Sequence, residues 1–216
     1  MATPTHAERL ANAKLAIDNA LNTPKIKEAL ADYGYNDKKL QEGLALYEAA
    51  TQSFQTQQIE YGEQFDATQA LQDLRETAYK SYIRLVKIAR IAFENQSGIA
   101  AQLAINGPRK KDLIGWMEQA DLFYKNALSQ PKVLKALEAY GITAEKIEVA
   151  QAEMVAVSQA RAEQVKGRGE AQNATKVKEA AMDTLDEWMS SFIKIARIAL
   201  EDSPQLLEVL GLVVPS

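Results

Sequence analysis

The stretch Lys87-Ile88-Ala89-Arg90-Ile91-Ala92 occurs twice: it returns unchanged, 107 residues later, as Lys194-Ile195-Ala196-Arg197-Ile198-Ala199. At the same offset Leu21–Gly34 aligns with Leu128–Gly141, and Ser81–Asn95 with Trp188–Asp202. The alignment holds from Ala13/Ala120 to Pro108/Pro215 without net insertion. An internal repeat constrains architecture before any local propensity is weighed. The chain therefore reads as a tandem duplication of a unit of about 107 residues, with repeats 1–108 and 109–216.

Both copies read as helix throughout. Ala, Leu, Glu, Lys and Gln dominate, and no segment alternates with strand period. A first helix is expected from about Ala7 to Asn22. Pro24, behind Asn22 and Thr23, opens a second one, because proline suits the first helical position. That helix should stop at Tyr33-Gly34, where glycine supplies the left-handed residue. Pro131 and Tyr140-Gly141 repeat both signals.

A long helix is expected from about Asp37 to Tyr61, followed by a turn. Asp66-x-x-Gln69 has the form of a capping box for the returning helix, which runs to about Glu94. In the second copy the turn falls within Lys166–Asn173, around Gly167 and Gly169, and the returning helix ends near Asp202. Ala78, Leu85, Ile88 and Ala92 match Leu185, Phe192, Ile195 and Ala199, and Trp188 completes the second set. Their seven-three-four spacing is a bundle seam. Short apolar segments, Ile99–Ile105 and Leu206–Val214, close each copy. The expected fold is all-α: two helical hairpins packed as one pseudo-twofold four-helix-type bundle with short capping helices.

Composition removes several function classes. The formal charge is −4 and the pI near 5.3, which argues against nucleic-acid binding. There is no cysteine, hence no disulfide, thiolate metal site or cysteine nucleophile. The single histidine, His6, sits at the terminus. With no Glu-x-x-His motif the chain lacks the ligands of a di-iron bundle, and no metal or other cofactor is expected. Glu60/Glu63 and Asp183/Glu187 share helix faces, as solvated pairs commonly do. No base is positioned for a serine or threonine nucleophile. Gly167-x-Gly169 lacks the strand and the Gly-Lys-Ser/Thr of a phosphate loop. No apolar run reaches the ~20 residues of a membrane span, and the first residues lack the pattern of a signal peptide. A cytoplasmic location is the expectation, although a secreted chain already freed of its signal would read the same.

Two sets of residues remain as candidate sites. Lys87 and Arg90 share a helix face, as do Lys194 and Arg197. These cations are a possible contact for an acidic partner. The simpler reading pairs Arg90 with Glu94 and Arg197 with Glu201. Tyr47, Phe54 and Tyr61 recur at seven-residue steps, while the second copy has Met154, Arg161 and Arg168 there. That stripe is either core, covered by the arginine stems, or a groove for a ligand or partner helix. Tyr33 and Tyr140 read as core. The functional expectation is a non-enzymatic helical-bundle protein that works through protein–protein contact, self-association included, or as a structural element. The rival is a small-molecule or lipid carrier with Tyr47, Phe54 and Tyr61 lining its groove.

Overall fold

The computed structural model describes residues 4–213; Val214–Ser216, the end of the second closing segment, lie outside the described residues, as do Met1–Thr3. The described residues form eight helices and no strand: α1 (His6–Asn22), α2 (Pro24–Ala31), α3 (Asp37–Ala92), α4 (Ser97–Gln102), α5 (Leu113–Ser129), α6 (Pro131–Glu138), α7 (Ala144–Ala199) and α8 (Pro204–Val209). The bounds of α5–α8 each lie 107 residues after those of α1–α4.

Local signals act as their chemistry requires. Pro24 and Pro131 open α2 and α6. Gly34 and Gly141 hold φ of 84° and 73°. After each glycine the next amide reaches back across the turn, Tyr35 to the Leu30 carbonyl and Ile142 to that of Leu137. This is a Schellman stop, whose apolar contact comes from the residue after the glycine. Accordingly Tyr35 and Ile142 are buried, whereas Tyr33 and Tyr140 are half exposed, at 49% and 51%. The expectation that Tyr33 and Tyr140 are core is thus corrected by two positions, to Tyr35 and Ile142. Before His6, Thr5 and Glu8 form a reciprocal capping box that fixes the start of α1.

The expected hairpins do not form. Asp66–Gln69 and Lys166–Asn173 lie inside α3 and α7, each an unbroken helix of 56 residues. Gln69 donates to Asp73 one turn on instead of capping a new helix. The cause is a buried seam that never loses register. Along α3, Ser53, Gln57, Glu60, Gln64, Ala67 and Leu71 are all buried or half-buried. Along α7 the same holds for Val157, Ala160, Gln164, Gly167, Ala171, Ala174 and Lys178. Both runs alternate steps of three and four, the spacing of a continuous packing face. Each internal glycine costs a helix about 1 kcal/mol, which seam packing outweighs. At Gly167 a β-carbon would meet the backbone of Gln64 at 3.7 Å, an ordinary packing distance, so close approach does not require the glycine there.

Two compact units result. Unit 1 comprises residues 1–62 and 169–216; unit 2 comprises 63–168. Each therefore draws on chain from both sides of residue 108. In unit 1, α1, α2, the first part of α3, the last part of α7 and α8 enclose Ile17, Ile26, Leu30, Leu40, Phe192 and Leu207. Gln57 bonds Thr175 while Gly43 meets Trp188, so α3 and α7 run antiparallel there. In unit 2, the rest of α3, α4, α5, α6 and the first part of α7 enclose Tyr82, Phe93, Trp116, Phe123, Leu137 and Ile147.

Candidate functional site

The repeated six-residue segment divides into three roles. Ala89 and Ala196 are buried, and Ile88, Ala92, Ile195 and Ala199 are half-buried against the cores. Arg90 fastens the closing segment: its Nε donates to the Ile105 carbonyl at 2.8 Å and its guanidinium to that of Gly107 at 2.7 Å. Arg197 donates to the Val213 carbonyl at 3.2 Å. These carbonyl bonds stand where ion pairs with Glu94 and Glu201 were expected. Lys87, Ile91, Lys194 and Ile198 are exposed, and the fold gives them no internal task. Lys87 and Arg90 belong to unit 2, Lys194 and Arg197 to unit 1.

The aromatic stripe is half-buried rather than open. Tyr47 packs on the core of unit 1 with the Lys14 ammonium 5.4 Å from its ring centre. Phe54 has the Lys178 ammonium at 6.0 Å, and Tyr61 is 41% exposed. Lysines of α1 and α7 thus stand over the first two rings of the stripe. A cleft of about 420 Å³ does open on this part of α3, against α7, but Ala49, Ser53, Thr56, Ala174 and Val177 line it. At 100° per residue those α3 positions face away from Tyr47, Phe54 and Tyr61.

Unit 2 carries a different surface, which takes in Lys87 and Arg84 one turn before it. Two adjoining hollows, of about 480 and 380 Å³, follow one face of α3 from Gln72 to Lys87 and share Tyr79. Arg75, Lys80, Arg84 and Lys87 line them from the helix, with Lys111 beside. Lys80 pairs with Glu76, and Arg75 donates to the Lys111 carbonyl. Arg84 and Lys87 are exposed and have no ion pair among the described residues. The Tyr79 ring, 38% exposed, stands edge-on to the buried Trp116 at 5.8 Å. A cationic groove thus has an aromatic floor held from below. Positions 75, 79, 80, 83, 84 and 87 follow helical spacing, a signal already present in the expected returning helix.

Beneath this groove lies an aromatic core. Tyr82 packs edge-to-face with Trp116, Phe123 and Tyr124, at 6.4, 6.0 and 6.1 Å. The Tyr82 and Tyr124 hydroxyls, the Trp116 indole N–H and Glu153 Oε2 are all buried without a hydrogen-bond partner among the described residues. Desolvation pushes the Tyr82 hydroxyl up to about 12. Tyr124 is raised as well, by burial first and then by the neighbouring Tyr82 and Glu153.

No helix among the described residues is long and apolar enough to cross a membrane, and no group of three or more His, Asp or Glu side chains there is placed to hold a metal ion. The chain matches no protein-family model, and comparison with curated proteins and with solved structures gave no match.

Proposed function

We propose that this protein acts by protein–protein contact rather than by catalysis, and that the α3 face of unit 2 binds an acidic protein surface. The observation that carries the reading is the pair Arg84 and Lys87, exposed and unpaired beside the anchored ring of Tyr79. Neither cation serves the fold, and like charges along one helix face cost stability. Tyrosine and arginine are the residue types that dominate contact energies when a partner covers them. On this reading the 107-residue offset records duplication of one helical set, in a cytoplasmic protein whose two copies later diverged in surface charge.

The test is a titration of the whole chain with fluorescent poly-glutamate. Salt-sensitive binding that Arg84→Glu/Lys87→Glu abolishes, with melting temperature unchanged, is the expected result. Binding equal in the variant and the parent overturns the assignment. The carrier reading rests on the cleft beside Ser53, Thr56 and Val177. It requires a medium-chain fatty acid to raise the melting temperature, by mass action, and Val177→Trp to cancel that rise.

A further inference from the structure

The groove on unit 2 has a counterpart of opposite sign on unit 1. Counted 107 residues on, Gln72, Tyr79, Lys80 and Arg84 become Glu179, Asp186, Glu187 and Ser191, while Glu76 becomes Asp183. The corresponding face of α7 is therefore acidic where that of α3 is basic. Asp186 is engaged by Arg9. Glu179, Asp183 and Glu187 are exposed and have no ion pair among the described residues. The imbalance extends to whole units: residues 1–62 with 169–216 hold ten Lys and Arg against sixteen Asp and Glu, and residues 63–168 hold fifteen against thirteen.

We infer that the acidic surface received by the groove is the α7 strip Glu179–Asp183–Glu187 of a second copy of this chain, an inference that rests on the contact function proposed above. Spacing supports it as well as sign. Lys80, Arg84 and Lys87 span about 10 Å of helix, and Glu179, Asp183 and Glu187 span about 12 Å, at 1.5 Å per residue. Laid antiparallel, Lys87 meets Glu179, Arg84 meets Asp183 and Lys80 meets Glu187. In that register Lys194 comes to the Asp73 end of the groove, a fourth complementary contact. Lys80 exchanges an exposed partner for another, since its bond to Glu76 is of the weak surface kind. Because the two patches differ, the interface is heterologous unless two copies engage reciprocally.

Sedimentation velocity on the full chain, at about 0.01 M and about 1 M salt, reads this out directly, because screening spans the whole distance between these conditions. At low salt the mass should rise with concentration from 23.8 kDa toward twice that or beyond. At high salt association should weaken by about tenfold or more. Lys80→Glu/Arg84→Glu/Lys87→Glu should be monomeric alone, and so should Glu179→Lys/Asp183→Lys/Glu187→Lys. Mixed, the two variants restore opposite signs on both patches and should associate. A parent chain that stays monomeric at low salt, or variants that fail to associate when mixed, overturns the inference. If the parent is monomeric yet its groove still binds poly-glutamate, only the choice of partner falls. If poly-glutamate fails too, the contact function falls with it.

Discussion

In unit 1 the indole of Trp188 lies directly over Gly43, so close that a β-carbon at position 43 has no room. Trp188 also stacks on Phe192, with ring centres 5.2 Å apart and planes within 10°, and meets Tyr35 edge-on. At the corresponding positions of unit 2 stand Ser81 and Ala150, which line a small hollow instead. Large against none in one unit is matched by small against small in the other.

Gly43→Ala should therefore destabilise the protein by about 1–2 kcal/mol: overpacking costs about 1–3 kcal/mol, offset in part by the helix preference for alanine. In a Trp188→Ser background the same change should become neutral or stabilising by up to about 1 kcal/mol. Chemical denaturation of the four proteins in this cycle reads the coupling. Additive effects would show that the ring does not set the requirement for glycine.

Arg90 fastens two carbonyls and Arg197 one. Arg90→Ala should cost about 1–2 kcal/mol, and Arg197→Ala less than about 1 kcal/mol. Arg90→Lys should recover little, since a point charge cannot span both acceptors as a guanidinium does. Hydrogen exchange should show the loss at residues 103–107. Equal, negligible costs would return both arginines to the status of solvated surface cations.

Ala104 holds the left-handed φ of 54° that Gly211 holds at 73°. Each follows a short helix and accommodates the same backward amide bond, Ile105 to Ala100 and Leu212 to Leu207. A β-carbon in this region costs about 1–2 kcal/mol, and glycine gives back part of that through the unfolded chain. Ala104→Gly should stabilise by about 0.5–1 kcal/mol. Gly211→Ala should destabilise, since its β-carbon also meets Leu15 at 3.0 Å. Thermal melts of the two single variants test this, and a loss at Ala104→Gly would contradict it.

The buried hydroxyls give an alkaline signature. Tyr82 in the fold ionises near 12, above the ordinary tyrosine value of 10, and Tyr124 is displaced in the same direction. Between those values the unfolded chain has released protons that the folded chain retains. Stability should be unaffected by these groups below pH 10 and fall from there to about 12, by up to about 1.4 kcal/mol per pH unit for each group. Tyr82→Phe should reduce that slope. It should also hold or raise stability at pH 7, because an unpartnered buried hydroxyl is removed. Urea melts from pH 8 to 11.5 measure both effects; an unchanged slope would place the ionisation elsewhere.

Helix starts and stops were legible because they depend on single residues: Pro24, Pro131, Gly34 and Gly141 act where they stand. The hairpin turns were misjudged because Asp66-x-x-Gln69 and the glycines of Lys166–Asn173 imitate local punctuation. The opposing signal, a three-four alternation through Gln57, Glu60 and Gln64, is carried by polar residues and disappears in a hydrophobicity reading. Thr5 and Glu8 form the true capping box, and their spacing was visible. Tyr79 and Lys87 already share the expected returning helix; what the sequence did not show is the seat of Tyr79 on Trp116, 37 residues away in α5. Lys178 over Phe54 depends on contact between residues 124 apart, which no local pattern encodes.

Unit 2 is a single run of chain, 63–168, whereas unit 1 is made of two runs separated by all of it. On the ribosome, α1, α2 and the beginning of α3 emerge first yet have to wait, their apolar faces uncovered, until the last part of α7 is synthesised. Unit 2 can complete its packing meanwhile. Domains commonly fold in the order in which they are made. Here the segment made first belongs to the unit finished last, which makes the early α1–α2 surface the place where a chaperone would engage the nascent chain.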